Sequence, residues 1–197
     1  LPYQASVLVV VLHGRRRGPF SPRKNLGAHH SQQERVAALL IDILPLDEAE
    51  DRRKVFDIDL LADRVLLAKA WLEQDDRTKC LGIGYFGAST GAGAALQAAA
   101  RDPSSIRAIV SRGGRPDLAE PYLFSVTAPT LLIIGGDDAP VIEMNRAAYR
   151  LLSCPKRLVI VPGATHLFEE PGTLEQVAAH ALAWFQHHFH PAQYEGT

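Results

Sequence analysis

Six short apolar runs, separated by longer stretches of helical periodicity, restrict this chain to one broad class of fold. The runs cover residues 7–12, 36–43, 80–86, 107–110, 130–134 and 157–161. They are nearly continuous in apolar residues, which suits strands covered on both faces. Between them, apolar residues recur three and four apart. Ile58, Leu61, Val65, Ala68 and Leu72 predict a helix capped by Asp57 or Asp59. A segment rich in Ala and Gly follows Ser89, Pro140 opens a further helix at its first turn, and the last helix spans about Thr173–Phe189. Strand-then-helix repetition requires crossovers between parallel strands. The expected fold is therefore α/β, a doubly wound and mostly parallel sheet with helices on both faces. From Ser111 to the run at Thr130 there is room only for a loop and a short helix, so a minimal core without a lid domain is expected.

At 197 residues, with no internal repeat or linker, the chain reads as one domain, 1–197. Its 21 basic residues balance 22 acidic ones, so nothing points to nucleic acid. No apolar run is long enough to span a bilayer, and no membrane partner is expected. The apolar opening lacks a preceding basic region and runs into His13-Gly14, so it reads as a strand and not a signal peptide. Cys80 and Cys154 both stand among apolar residues and are expected to be buried free thiols, as in a reducing, cytoplasmic setting.

The chemistry is carried by Gly84-Tyr85-Phe86-Gly87-Ala88-Ser89-Thr90-Gly91, a G-x-S-x-G pattern at a strand–helix junction. A Ser there sits on a sharp turn, at a helix N-terminus whose N–H groups can hold an oxyanion. A hydroxyl is a poor nucleophile until a base takes its proton. His166 lies just after the last predicted strand, and Asp137-Asp138 follow the strand before it. Adjacent residues on one loop cannot both face the His. Asp138 is favoured because a turn entered through Gly135-Gly136 points its second carboxylate outward. Ser, then Asp, then His is the order of a nucleophile–acid–base triad on such a sheet. Arg112 and Arg115, beyond the fourth run, and Arg15-Arg16-Arg17, beyond the first, suit an anionic group on the substrate. His187, His188 and His190 read as a solvated helix end, His29 and His30 lack flanking ligands, and no metal is expected. Gly82-x-Gly84 is too short for a dinucleotide fingerprint.

The elbow segment, Ser111-Arg112-Gly113-Gly114-Arg115-Pro116-Asp117-Leu118, and Gly163-Ala164-Thr165-His166-Leu167-Phe168-Glu169-Glu170-Pro171-Gly172 together resemble dienelactone-hydrolase-like α/β-hydrolases. The closest resemblance is to the group found beside or fused to phosphoribosyltransferase domains. It implies Ser89 as nucleophile, Asp138 as acid and His166 as base, with the backbone N–H groups of Thr90 and Arg15 as oxyanion donors. Dienelactone hydrolase itself uses Cys where Ser89 stands, so its lactone specificity is not implied. The expected activity is hydrolysis of a small ester-like substrate, with no cofactor and with a phosphoribosyltransferase domain as a candidate neighbour. A thioesterase or peptidase on the same triad is an alternative, as is a hydrolase fold kept as a binding module.

Overall fold

A computed structural model of the chain describes residues 7–13 and 36–189. Six strands form one sheet: β1 (Val7–His13), β2 (Val36–Asp42), β3 (Gly82–Ala88), β4 (Ile106–Arg112), β5 (Thr130–Gly135) and β6 (Lys156–Val161). Every neighbouring pair is parallel, in the order β2-β1-β3-β4-β5-β6. The helices are α1 (Arg52–Val55), α2 (Ile58–Gln74), α3 (Thr90–Arg101), α4 (Ala139–Leu151) and α5 (Thr173–Phe189), and a 3₁₀ segment, Pro116–Ser125, lies between β4 and β5. This is the expected α/β class, and the short 3₁₀ segment stands where a lid would need a long insertion.

Alternate residues of each inner strand serve the two faces. Leu8, Val10 and Leu12 of β1 join Ile83, Ile109 and Leu132 in a core covered by Leu61 and Val65 of α2, Leu96 of α3 and Ala148 of α4. Val9 and Val11 face the other way, with Val110, Ile133 and Phe86, against Val177, Ala181 and Phe185 of α5. Burial on both faces holds for the inner strands. The rim strands depart from it, since among the described residues β2 and β6 each have one neighbour, and they expose Leu40 and Ile160.

Strand limits differ from the sequence reading at two places that matter for the site. β3 starts at Gly82 because the chain before it is a turn, with Thr78 and Lys79 N–H donating to Asp75 O. Cys80 therefore lies before the strand and is exposed, contrary to the expectation of a buried thiol; Cys154 is buried. β4 runs on to Arg112, so this residue ends a strand and does not sit in the loop beyond it.

Asp57 caps α2, accepting from Leu60 N–H at 3.0 Å. Lys69, on the same helix, is buried with its ammonium 2.7 Å from both Glu73 and Asp102, and 3.2 Å from Ser104 Oγ. Burial alone would lower its pKa, but the bonds to Asp102 and Glu73 outweigh that and raise it. Asp102 is the C-cap of α3, so this cluster ties the two helices together. Among the described residues, no helix is long and apolar enough to cross a membrane.

Candidate active site

The strand order reverses direction at β1, which pairs with β2 on one side and β3 on the other. Open parallel sheets form their clefts outside the C-terminal strand ends at such a reversal. His13, the last residue of β1, is in register with Ala88, the last residue of β3. Ser89 comes next.

Ser89 alone links β3 to α3, and the turn puts its backbone at φ 51°, ψ −123°, a strained region for a residue with a side chain. The turn closes because Gly87 has no side chain. A Cβ there would stand 2.5 Å from Ala92 Cα and 2.6 Å from Gly91 O. The strained unit is held from outside: Ser89 N–H donates to Arg112 O at 3.3 Å, and Ser89 O accepts from Arg115 N–H at 3.0 Å and Ala92 N–H at 3.1 Å. Ser89 Oγ makes no hydrogen bond among the described residues. Thr90 is the first residue of α3, so its N–H has no acceptor within the helix and points out of the N-terminus.

His166 sits in the loop between β6 and α5. The Glu170 carboxylate accepts from Thr165 N–H at 3.1 Å and from Thr165 Oγ1 at 2.6 Å. That hydroxyl bond is the largest cause of a Glu170 pKa below its ordinary value. Glu170 O in turn accepts from Thr173 N–H and Oγ1 at the start of α5. Inside this closed loop Phe168 is fully buried, at φ 58°.

Asp138 Oδ2 lies 2.7 Å from His166 Nδ1. Asp138 is the N-cap residue of α4 and its side chain is 13% exposed, while that of His166 is 41% exposed. Asp137 is exposed, and its N–H donates to Ala164 O at 2.9 Å, pinning the turn to the His166 loop and leaving the next side chain to meet the imidazole. With Nδ1 engaged, Nε2 is the free ring nitrogen. The imidazole also abuts Gly113, where a Cβ would lie 3.6 Å from His166 Cε1. Gly113 follows Arg112, whose carbonyl holds Ser89 N–H. Ser89 and His166 thus border the same strand end, that of β4.

Arg112 places its guanidinium carbon 5.5 Å from the Phe168 ring centre, and its Nε is buried with no hydrogen-bond partner among the described residues. Burial lowers its pKa. Arg115 differs, since its fork is already engaged by Asp117, at 2.9 and 2.7 Å. Arg15, and with it Arg16, Arg17, His29 and His30, lies outside the described residues. His188 is not a fully solvated helix end: its ring packs edge-on against Trp184 at 4.3 Å. Among the described residues no group of three or more His, Cys, Asp or Glu is placed to hold a metal ion.

Two residues at the site had no role assigned from the sequence. Glu170 closes the His166 loop through a bond five residues back. Asn145, in α4, donates to Gly114 O across 31 positions, a relationship only the fold creates.

No protein-family model matches the chain. A crystal structure described as dienelactone hydrolase from Anabaena variabilis is 48% identical, with a TM-score of 0.88 over 96% of this chain and 89% of that one. Est1E from Butyrivibrio proteoclasticus shares the fold at 16% identity, with a TM-score of 0.72 over 93% of this chain and 90% of that one. Two curated Mycobacterium tuberculosis proteins, provisionally named phosphoribosyl transferases, are each 50% identical over 188 residues. That match takes in 95% of this chain but 42% of each relative, so the chain spans about two fifths of their length.

Proposed function

The chain belongs to the dienelactone-hydrolase-like α/β-hydrolases, and from that membership we propose that it forms one serine hydrolase domain acting on small ester-like substrates. The observation that carries the reading is the 2.7 Å bond between His166 Nδ1 and Asp138 Oδ2, beside a Ser on a strained strand–helix turn. A carboxylate on Nδ1 fixes the tautomer that leaves Nε2 free as a base.

In this reading Ser89 Oγ attacks the carbonyl carbon as its proton passes to His166 Nε2, and Asp138 stabilises the imidazolium. The tetrahedral oxyanion is held by Thr90 N–H, with Arg15 N–H as the second donor. The imidazolium returns the proton to the departing alcohol. Water then gives up a proton to the same nitrogen and attacks the acyl carbon, and as the acyl–Oγ bond breaks the imidazolium returns that proton to Ser89 Oγ, releasing a carboxylic acid and the free enzyme. The step needs no cofactor.

Arg112 is the residue we assign to an anionic group on the substrate. It stands one strand end from Ser89, with an Nε that has no partner among the described residues. Arg115, also assigned this role from the sequence, is the weaker contributor because Asp117 already occupies its fork. The transferase name of the longer relatives is assigned to the part outside the matched stretch, with a phosphoribosyltransferase domain as neighbour.

Labelling with a fluorophosphonate tests the reading. Intact mass should rise by one adduct in the wild type and not in Ser89→Ala. A folded wild type that stays unlabelled would exclude a serine hydrolase.

A further inference from the structure

Asn145 is fully buried in the middle of α4, at a position where an apolar side chain would pack without polar cost. Both hydrogens of its amide are used. Nδ2 donates to Val141 O at 2.8 Å, one turn back, and to Gly114 O at 3.0 Å, outside the helix. Its Oδ1 is buried with no partner among the described residues. An unpaired buried acceptor is unfavourable, so the stability gained from this side chain is poor for its position.

What the amide reaches explains its presence. Gly114 belongs to the four-residue bridge Arg112-Gly113-Gly114-Arg115, whose two ends grip Ser89: Arg112 O takes its N–H and Arg115 N–H meets its carbonyl. The bridge contains two glycines, and Gly113 has φ 49°, so its backbone is free to adopt other conformations. Its two glycines are pinned from outside, Gly113 N–H to Ile133 O at 2.8 Å and Gly114 O by Asn145 Nδ2, while Leu118 N–H meets Arg115 O at 3.2 Å. Asn145 lies two turns into the helix that Asp138 opens.

We infer that Asn145 is a positioning residue, which holds the bridge gripping Ser89 in register with the helix carrying Asp138. The catalytic part of this inference rests on the serine-hydrolase reading; the hold on the bridge does not.

The test compares wild type with Asn145→Leu, close in volume and unable to donate, and with Asn145→Asp, which places an acceptor against Gly114 O. Both are checked for folding by circular dichroism. Fluorophosphonate labelling rate, kcat and KM for a short neutral ester, and amide hydrogen exchange at Ser89 and Arg115 are then measured. The inference expects kcat and labelling to fall about tenfold to a hundredfold in the folded variants, with KM within about twofold, and exchange at both amides to quicken. A folded variant with wild-type labelling and unchanged exchange overturns it. If Asn145→Leu fails to fold, Asn145→Asp decides on the same readings. If the wild type itself is unlabelled, the hydrolase reading fails, and exchange alone decides whether Asn145 holds the bridge.

Discussion

The guanidinium of Arg112 lies over the ring of Phe168, 5.5 Å from its centre, and so bridges the end of β4 to the loop that carries His166. The aromatic face stabilises the cation without using its N–H donors. A carboxylate or phosphate on the substrate could take those donors. Arg112→Ala should raise KM for an acidic ester about tenfold or more, and change KM for its neutral methyl analogue much less. Equal effects on both esters would make Arg112 a packing residue. Arg115→Ala, with its fork already on Asp117, should discriminate little between the two.

Asp138→Asn should lower kcat on the order of 10⁴-fold, the loss seen when a triad carboxylate is replaced and the imidazole takes the wrong tautomer. Asp137→Asn should change kcat little, because this side chain is exposed and the imidazole Nδ1 is already bonded to Asp138. Steady-state kinetics on any cleaved ester would rank the two. A larger loss at Asp137 would mean that the acid had been assigned to the wrong neighbour.

Gly87→Ala places a methyl 2.5 Å from Ala92 Cα, closer than two non-bonded carbons can stand, and its three nearest atoms are all backbone. Neither β3 nor α3 can yield cheaply, since each is buried. We expect a loss of at least about 1–3 kcal/mol, read as a lower urea midpoint, together with loss of labelling at Ser89. A variant with wild-type midpoint and labelling would show that the turn can open without cost.

The Lys69 cluster predicts a pH window. The raised Lys69 pKa contributes stability below 10.5, lost as pH rises through the folded value. Glu73 and Asp102 have pKa values lowered from 4.5 and 3.8. For Glu73 the bonds to Lys69 and Ser105 overcome burial, and for Asp102 the bond to Lys69 leads. Their contribution is present above those ordinary values and lost as pH falls through the folded ones. Lys69→Met should flatten the stability profile at both ends, at modest cost, because both carboxylates are more than a third exposed and rehydrate. Glu73→Gln with Asp102→Asn should cost more, about 3–5 kcal/mol, since the ammonium stays buried without a counter-charge. Urea titrations across pH would separate the two.

The class of fold and its six parallel strands were readable from the chain, because burial on both faces writes itself as runs of apolar residues. What escaped was set by contacts between distant residues. Cys80 looked like a strand residue until the Asp75 turn consumed the chain before Gly82. Arg112 was already the favoured arginine, as the one nearest a strand end, but the folding of Arg115 onto Asp117 was not legible. Asn145 resembled any polar residue of a helix, and its partner Gly114 lies on another crossover.

Ser89 follows β3, Asp138 follows β5 and His166 follows β6, with the end of β4 between them. No hairpin or single crossover holds all three, so the arrangement exists only while the central sheet is assembled. A reagent that reacts with the serine through this arrangement is therefore a reporter of the native state. Its reactivity should vanish across a denaturant titration in one step with the loss of sheet, and any lag between the two would reveal which crossover lets go first.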